Sequence, residues 1–157
     1  MDRDQLQRVK AIIDRVKVFR GFNITEAQQL IKLCQPQNYT KGDVVYEIDT
    51  PSNEMFILLQ GKLVAVNNTG TTLGEILPGS TTGEMGVLTG LPRSARVIVA
   101  EDAAGFVIKK AQLDALMRTD VDVRTKVLEN IIQLLCERVM GANTQIENFA
   151  VQVRGGG

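Results

Sequence analysis

The segment that spans residues 77–97 holds the side chains of this chain that are best suited to binding chemistry. Four glycines fall within twelve residues of it, which is typical of a loop. Two of them, Gly83 and Gly86, flank Glu84 and Met85. Glycine lets a backbone approach a ligand closely and frees N–H groups to point at an anion. The alternative reading of the same residue types is a tight turn without a ligand.

Two charged side chains in this segment suit a phosphate and a sugar. Arg93 follows Pro92 at the start of the next predicted strand, and a permanently charged guanidinium beside backbone amides holds a phosphate well. Glu84 repels a phosphate, but as an acceptor-only carboxylate it suits a hydroxyl such as a ribose 2′-OH. The same two residues could instead form a structural ion pair. The segment is not a Walker loop, because no Gly-Lys-Ser/Thr follows the glycines.

The composition of the whole chain disfavours several other classes of function. The 157 residues fit one domain plus a peripheral helix. The 18 acidic and 18 basic residues balance, so a nucleic-acid surface is not expected. The chain has no histidine, which excludes most zinc sites and histidine-based catalysis, and we expect no enzyme, metal or cofactor. With no signal-type N-terminus and no apolar run near ~20 residues, we expect a cytoplasmic protein without membrane contact.

The elements that must position this segment read as helices, then strands. Residues 4–35 show helical spacing with a break at 19–23, and Thr25 with Gln28 predicts a capping box for the second helix. Short apolar runs then predict strands at 44–46, 55–59, 63–66, 96–99 and 104–108, with turns at 41–43, 60–62 and 67–70. Because no helical pattern separates them, an antiparallel sandwich or barrel is expected rather than a parallel sheet.

The last block predicts a short helix at 111–117 and a long one at about 122–149. Apolar residues at alternating steps of four and three form a seam for three heptads, at Leu128, Ile132, Leu135, Val139, Ala142, Ile146 and Phe149. Such a seam favours a homodimer through Leu128, Ile132, Leu135, Val139 and Ile146, and the alternative is an amphipathic helix on its own core. Ile131, Leu134 and Arg138 lie on a neighbouring face. Cys34 and Cys136 sit in apolar helical patterns, which predicts buried free thiols.

Residues 83–88 (Gly-Glu-Met-Gly-Val-Leu) followed by 92–97 (Pro-Arg-Ser-Ala-Arg-Val) closely resemble the phosphate-binding cassette of the cyclic nucleotide-binding domain family. That family includes bacterial catabolite activator proteins, regulatory subunits of cyclic-AMP-dependent protein kinase and cyclic-nucleotide-gated channels. Residues 19–22, 41–45 and 55–63 are similar to other family landmarks, and the likeness covers about 18–141. The cassette is the specific part of the resemblance.

The resemblance implies a single α+β domain over residues 1–157. N-terminal helices at 1–36 would precede an antiparallel β-roll, of double-stranded β-helix or jelly-roll type, at 37–109. The roll would carry the cassette at 82–97, with a short helix near residues 84–88. A hinge and a long C-terminal helix at 110–150 would follow, and residues 151–157, ending in Gly155-Gly156-Gly157, would be a tail.

The resemblance also implies a role for each cassette residue. Glu84 would accept from the ribose 2′-OH, and the backbone N–H groups of 83–85 would line the sugar and phosphate. Arg93 would pair with the exocyclic phosphate oxygens, and Ser94 would reach the same phosphate or a guanine amino group. The predicted ligand-binding residues are Gly83, Glu84, Met85, Gly86, Arg93, Ser94, Ala95 and Arg138.

Three positions carry open questions. In the family the long C-terminal helix covers the base, so Arg138 would stack on or hydrogen-bond the purine; otherwise it is a surface arginine with no specific contact. The aromatic that often precedes the Gly-Glu pair is Thr82 here, which puts the packing under the cassette in question. The turn after the second strand has Asp49-Thr50-Pro51 where the family usually has glycine, a difference of local effect.

The function expected from these residues is a regulatory receptor for a cyclic nucleotide, with cyclic AMP favoured and cyclic GMP possible. Ligand binding would switch the position of the C-terminal helix and so act on an effector protein. One alternative is a family member that has lost nucleotide binding, or binds another phosphorylated metabolite, and works as an interaction module. Another is a DNA-binding regulator, which the neutral charge disfavours and for which the sequence stops early unless it is a fragment.

Overall fold

A computed structural model of the chain describes residues 2–156. The helices are α1 (Arg3–Asp14), α2 (Ile24–Ile31), α3 (Glu84–Thr89), α4 (Lys110–Thr119) and α5 (Val121–Gly155), with a 3₁₀ turn at Lys17–Phe19. The strands are β1 (Gln35–Tyr39), β2 (Val44–Tyr46), β3 (Glu54–Val66), β4 (Thr72–Ile76), β5 (Thr81–Thr82) and β6 (Arg96–Lys109). The order of helices, strands and helices is the one predicted from the sequence.

The six strands form one antiparallel sheet around two long central strands. The hydrogen-bonded order is β1-β6-β3-β4, while β2 pairs with β6 and β5 with β3. Every pairing is antiparallel, and β3 follows β6 from Glu54 opposite Lys109 to Val66 opposite Arg96. The predicted α+β class, with an antiparallel β-roll between N-terminal helices and a long C-terminal helix, is confirmed.

The predicted turn at 60–62 is wrong, because the chain continues through it as β3. The register against β6 shifts between Gln60 and Lys62, so this segment is a bulge in a single strand. Gly61 has φ 89°, and a Cβ at this position would overlap the carbonyl oxygen of Asp102. The two predicted strands on either side of this bulge share one partner, which explains why they merge. The predicted strands at 96–99 and 104–108 merge into β6 in the same way.

Three strands escaped prediction because they lack a buried apolar face. β1 reads Gln-Pro-Gln-Asn-Tyr, and its first four residues are exposed. β4 has exposed residues at its first four positions and contains Gly74. β5 has only two residues, both of them threonine. Each is held by backbone pairing to a long strand, and backbone pairing leaves no alternating apolar pattern in the sequence.

The predicted capping box at Thr25 and Gln28 is also wrong in position. The N-cap of α2 is Asn23, whose side-chain oxygen accepts from the Glu26 N–H at 2.9 Å. Glu26 completes the box by accepting from the Asn23 N–H at 2.8 Å. The pattern therefore applies two residues earlier, where Asn23 is as good a cap as threonine and Glu26 is the better N3 residue.

Two buried clusters form the core. One lies inside the sheet and centres on Phe56, Leu58, Leu63 and Val99. The other joins the helices to the sheet and includes Phe19 and Phe22, whose ring centroids lie 5.4 Å apart. Val123, Val127 and Ile131 of α5 belong to this second cluster. The first third of α5 is thus part of the domain core.

Polar contacts fix the base of α5. The Asn130 side chain donates to the carbonyl oxygens of Val18 at 3.0 Å and Arg20 at 2.8 Å. Lys126 pairs with the buried Glu26 at 2.7 Å. Asp120 and Asp122 lie close to this carboxylate, with the three groups within 4.8 Å of one another. Since Glu26 already serves Lys126 and the α2 cap, and Asp120 caps α5, we interpret this cluster as structural.

The far end of α5 leaves the domain. Every described residue from Arg138 onward is exposed. The helix continues to Gly155, so residues 151–155 of the predicted tail are helical, and Gly157 lies outside the described residues. Within residues 2–156, no helix combines the length and apolarity needed to cross a membrane.

The two cysteines differ in environment. Burial raises the pKa of the Cys34 thiol to about 12, and the thiol donates to the Leu30 carbonyl oxygen at 3.5 Å. Cys136 is exposed on α5, so its predicted burial is wrong. It follows one turn after Ile132, in the part of the helix whose outer face has no neighbour within the domain. Cys136 is therefore the more accessible of the two thiols, since Cys34 is half-buried.

Gly105 tests the close packing of the two central strands. A Cβ there would overlap the carbonyl oxygen of Ile57 and come within 2.8 Å of the Phe56 ring. We expect Gly105→Ala to lower the free energy of unfolding by about 1–3 kcal/mol, the usual cost of overpacking. Gly74→Ala is the control, because a Cβ at this strand position meets nothing within 4 Å. Urea unfolding of both variants measures the difference, and equal stabilities would contradict this packing.

Candidate functional site

A cavity of about 460 Å³ lies between the 82–97 segment, β4 and α5. Its lining includes all eight residues predicted from the sequence, namely Gly83, Glu84, Met85, Gly86, Arg93, Ser94, Ala95 and Arg138. The structure therefore brings the predicted set together in one place, although the eight span more than fifty positions of the chain. Their roles toward a ligand stay a prediction.

Glycines set the path of the chain around this cavity. Gly83 ends β5 and begins α3 with φ 85°, and Gly90 ends α3 with φ 75°. Both angles lie in the left-handed region, which favours glycine. Gly86 has a different reason to be glycine, because a Cβ there would overlap the side chain of Ser52. Gly86 lines the cavity, and its lack of a side chain allows α3 to pack on the 52–53 loop.

Arg93 lines the cavity and is buried, with 6% of the residue exposed. Its Nη2 donates to the Glu54 carbonyl oxygen at 2.6 Å, and its Nη1 to that of Gly83 at 3.3 Å. Its Cζ lies 3.6 Å from the centroid of the Tyr46 ring, a cation–π contact. All of these partners are neutral. Among residues 2–156, no carboxylate forms an ion pair with Arg93, so the structural ion pair with Glu84 considered above is absent.

Tyr46 does not supply the missing negative charge. Burial raises the pKa of its hydroxyl above the usual range, and the Arg93 guanidinium only partly offsets this effect. The phenol therefore stays protonated at neutral pH, and it offers Arg93 only the face of its ring. The charge of Arg93 remains without a counter-ion on the protein side of the cavity.

The backbone of Arg93 is clamped by the loop that follows β2. The Arg93 N–H donates to the Thr50 carbonyl oxygen at 2.9 Å, and its carbonyl oxygen accepts from the Asp49 N–H at 2.9 Å. Asp49 adopts φ 61°, the left-handed conformation that glycine would take more readily. Asp49, in the turn where the family usually has glycine, is thus accommodated with some backbone strain. The loop holds Arg93 in place.

Glu84 is the other charged group at the cavity and is 3% exposed. Its Oε1 lies 2.7 Å from the Nη2 of Arg138, and its Oε2 accepts from the Thr81 hydroxyl at 3.3 Å. Arg138 also contacts the Met85 sulfur, at 3.7 Å. The alternative in which Arg138 is a surface arginine without specific contacts is wrong, because it is bonded to the cassette.

The remaining predicted residues lie at the rim. Ser94 is exposed in the loop before β6, and Ala95 beside it is half-buried. Met85, on α3, is exposed and also lines the cavity. Thr82, which replaces the usual aromatic residue, is buried in β5 opposite Phe56. The threonine is therefore packed, and the cassette keeps its connection to β3.

Sequence reasoning missed several residues of the site. Tyr46, Thr81, Ser52 and the β4 segment from Leu73 to Ile76 all line the cavity. Tyr46 was assigned to a strand, but an aromatic residue in a strand gives no sign that it lies under an arginine. Thr81 could have been included, because it precedes Glu84 by only three residues and so lies next to the predicted site. The β4 residues could not be found because the strand itself was missed.

Comparison with known proteins assigns the family. A model of the cyclic nucleotide-binding domain matches residues 36–120, which is more than half of the chain and contains the whole cassette. The chain belongs to the cyclic nucleotide-binding domain family. The resemblance recognised in the sequence is therefore confirmed.

Relatives of this domain occur within longer proteins. Glutaminase 2 of Bradyrhizobium diazoefficiens is 26% identical over 122 residues, which are 78% of this chain and 19% of that protein. The cAMP-dependent protein kinase regulatory subunit of Dictyostelium discoideum is 26% identical over 92 residues, or 54% of this chain and 28% of the relative. The chain spans less than a third of either relative.

A solved structure shares the fold. A cyclic nucleotide-binding domain from Methylobacillus flagellatus superposes with a TM-score of 0.78 over 91% of this chain and 83% of that one, at 22% sequence identity. At this identity the likeness establishes the fold, and the site has to be argued from the residues of this chain.

Gly83 and Gly90 form a matched pair for testing the cassette geometry. Both have positive φ, but a Cβ at Gly83 would overlap Arg93 Nη1, whereas a Cβ at Gly90 meets nothing within 4 Å. We expect Gly90→Ala to cost about 1 kcal/mol of unfolding free energy, from backbone conformation alone. Gly83→Ala should cost about 1–3 kcal/mol more, because the guanidinium must shift. Denaturant unfolding measures both, and an equal cost would argue against the contact between Gly83 and Arg93.

Proposed function

We propose that this chain binds a cyclic nucleotide in the 460 Å³ cavity and acts as a regulatory sensor. The observation that carries this proposal is the buried guanidinium of Arg93, which faces the cavity with only neutral protein partners. Removing an ion from water costs several kcal/mol unless a counter-charge is present. An anionic ligand group would supply that counter-charge, and a cyclic phosphate carries one negative charge on two exocyclic oxygens.

The rest of the cavity suits the other parts of such a ligand. Glu84 offers carboxylate oxygens to the ribose 2′-OH. Gly83 has no side chain that could cap α3, so backbone N–H groups at 83–85 are available near the sugar and phosphate. Leu73, Ile76 and Arg138 line the remaining part of the cavity and would flank the base. A volume of about 460 Å³ lies within the usual range for small-molecule sites.

Cyclic AMP is the favoured ligand, and cyclic GMP is the second candidate. Ser94 presents a hydroxyl next to Arg93 that is compatible with either purine, and we identify no further residue that reads guanine. The Dictyostelium relative carries dependence on cAMP in its name, which adds support. The alternative is a module of the same fold that binds no nucleotide, or another phosphorylated metabolite, and acts through protein contacts.

The response to the ligand would be a change in the position of α5. The helix carries Arg138 at the cavity and is anchored to the domain through Asn130. A ligand that binds one position of the helix more tightly than another would increase the population of that position. An effector attached to α5, or bound by it, would respond to this change.

A homodimer through α5 is part of the proposal. Ile132, Val139, Ile146 and Phe149 of the heptad seam are exposed, each at about three-fifths to two-thirds of its surface, whereas Leu135 packs on the domain core. Apolar residues at a and d positions favour pairing with a second helix of the same kind. A second copy of the chain would cover this seam.

Calorimetric titration tests the ligand. Cyclic AMP, cyclic GMP and cyclic di-GMP should be compared, and cyclic AMP is expected to bind most tightly. Arg93→Ala should weaken binding about ten- to a hundredfold, because hydrogen bonds to charged groups contribute roughly 1.5–3 kcal/mol each. Ser94→Ala should lose less. Arg96→Ala is the control, because this side chain is 44% exposed and lies three residues further along the chain.

Two outcomes would count against this assignment. If Arg93→Ala folds and keeps the wild-type affinity, the phosphate does not sit on Arg93. If no cyclic nucleotide produces heat or a thermal shift with the wild-type chain, the module without a nucleotide ligand becomes the better description. If the alanine variant is unstable, the affinity of Arg93→Lys is measured instead, because lysine keeps the charge but loses the planar fork of the guanidinium.

Light scattering tests the dimer. The wild-type chain should scatter as a dimer, and Ile146→Glu should convert it to a monomer by placing a charge in the seam. Asn148→Glu is the matched control, since it adds the same charge two residues away, on a side of the helix outside the seam, and it should leave the dimer intact. A wild-type chain that is monomeric at all accessible concentrations would contradict the proposal.

A further inference from the structure

The helix α3 carries Glu84 at its first position, so its orientation decides where this carboxylate lies. The helix has only six residues, Glu84–Thr89, and follows directly on Gly83. A helix this short is not stable by itself in water, so contacts with the rest of the domain have to hold it. These contacts fix Glu84 and, with it, one part of the cavity wall.

Apolar packing holds the buried side of α3. Val87 is fully buried, in the core cluster that also contains Leu113 of α4 and Val123 of α5. Packing of this kind is non-directional, so it keeps the helix on the core without defining how the helix is turned. A hydrogen bond is directional and can define this orientation.

Lys110, the first residue of α4, makes such a bond to α3. Its Nζ donates to the Val87 carbonyl oxygen at 2.6 Å and lies 3.1 Å from a carboxylate oxygen of Asp114, one turn further along α4. Its backbone N–H donates to the Asn53 carbonyl oxygen at 2.8 Å. Lys110 is thus held both at its backbone and at its ammonium group. It does not belong to the lining of the 460 Å³ cavity.

The Val87 carbonyl oxygen lies near the C-terminal end of α3, where carbonyl oxygens lack an N–H partner further along the helix. The Leu91 N–H, which would reach it if the helix continued, donates instead to the Thr89 hydroxyl at 3.2 Å. A lysine at a helix C-terminus satisfies such a carbonyl group and interacts favourably with the helix dipole. Lys110 thereby takes the place of a missing helical hydrogen bond.

We propose that Lys110 is a positioning residue of the nucleotide site, which sets the orientation of α3 from α4 and so places Glu84 for the ribose 2′-hydroxyl. This inference rests on the proposed function, because it assigns the support of one group in that site. Lys110 acts through α3 and does not touch the ligand. Its loss should therefore weaken the contact made by Glu84 more than the contact made by Arg93.

The chain offers a matched control in Lys10. This residue forms the same kind of ion pair, with Asp14 four residues further along α1 at 2.6 Å, and its side chain is 35% exposed against 33% for Lys110. Replacement of either lysine by methionine keeps an unbranched stem and removes the ammonium group. The two variants lose equivalent ion pairs, and Lys110→Met loses the bond to α3 as well.

Calorimetric titration of cyclic AMP and 2′-deoxy cyclic AMP measures the effect on binding. We expect Lys110→Met to bind cyclic AMP about 3- to 10-fold more weakly than wild type, the equivalent of one ordinary hydrogen bond. The loss for 2′-deoxy cyclic AMP should be below about twofold, since this ligand offers Glu84 no hydroxyl. Lys110→Arg, which keeps a cationic N–H donor, should recover most of the affinity. Lys10→Met should match wild type with both ligands.

Amide hydrogen exchange without a nucleotide measures the support of α3 directly. The N–H groups of Val87 and Gly90 donate to carbonyl oxygens four residues earlier, at 3.2 Å and 2.8 Å. Local opening of α3 exposes both amides, so they should exchange about 5- to 20-fold faster in Lys110→Met than in wild type. Amides in the paired strands β3 and β6 should keep their wild-type rates, which distinguishes this effect from a general loss of stability. Lys10→Met should leave both sets unchanged.

The outcomes separate the two proposals. Equal losses for cyclic AMP and its 2′-deoxy form would overturn the route through Glu84, and no recovery in Lys110→Arg would overturn the role of the ammonium donor. Unchanged exchange at Val87 and Gly90 would overturn the support of α3 by Lys110 and leave the nucleotide site standing. If no cyclic nucleotide binds the wild-type chain, the proposed function fails, while the exchange rates still decide whether Lys110 holds α3.

Discussion

A buried positive charge without a negative partner is the constraint on which the rest of this structure depends. Arg93 is held by two carbonyl oxygens and the face of Tyr46, and its backbone is clamped by the loop at Asp49. Each of these contacts positions the guanidinium and none of them neutralises it. The sheet, the left-handed Gly83 and the strained Asp49 together hold a guanidinium that has no counter-ion among the described residues.

The second charged group in the cavity is in the opposite state. Glu84 is already neutralised, by a residue some fifty positions away on a helix that continues out of the domain. Among the described residues, the cavity thus contains one buried cation without a counter-ion and one ion pair that links the cassette to α5.

Much of this was predictable from the sequence, and the failures share a physical cause. The Gly-Glu and Arg-Ser motifs are local, so their seven site residues and the short helix α3 could be placed in advance through the resemblance to the family. Strands β1 and β4 could not, since their stability comes from pairing with β6 and β3 rather than from their own polar residues. The same limit applied to the alternative in which Arg93 and Glu84 form an ion pair: long-range packing gave Glu84 a partner on α5 instead.

The anchoring of α5 near Asn130 also sets the mechanical character of the molecule. From this residue to Gly155 the helix extends about 37 Å, at a rise of about 1.5 Å per residue. Arg138 lies about 12 Å from Asn130 on the same scale, so a rotation of the helix about Asn130 would move the exposed end roughly three times as far as it moves Arg138. A displacement of the Arg138 backbone by about 2 Å would carry the exposed end about 6 Å. An adjustment no larger than a change of side-chain rotamer at the cavity would thus become a movement on the scale of a helical turn at the far end.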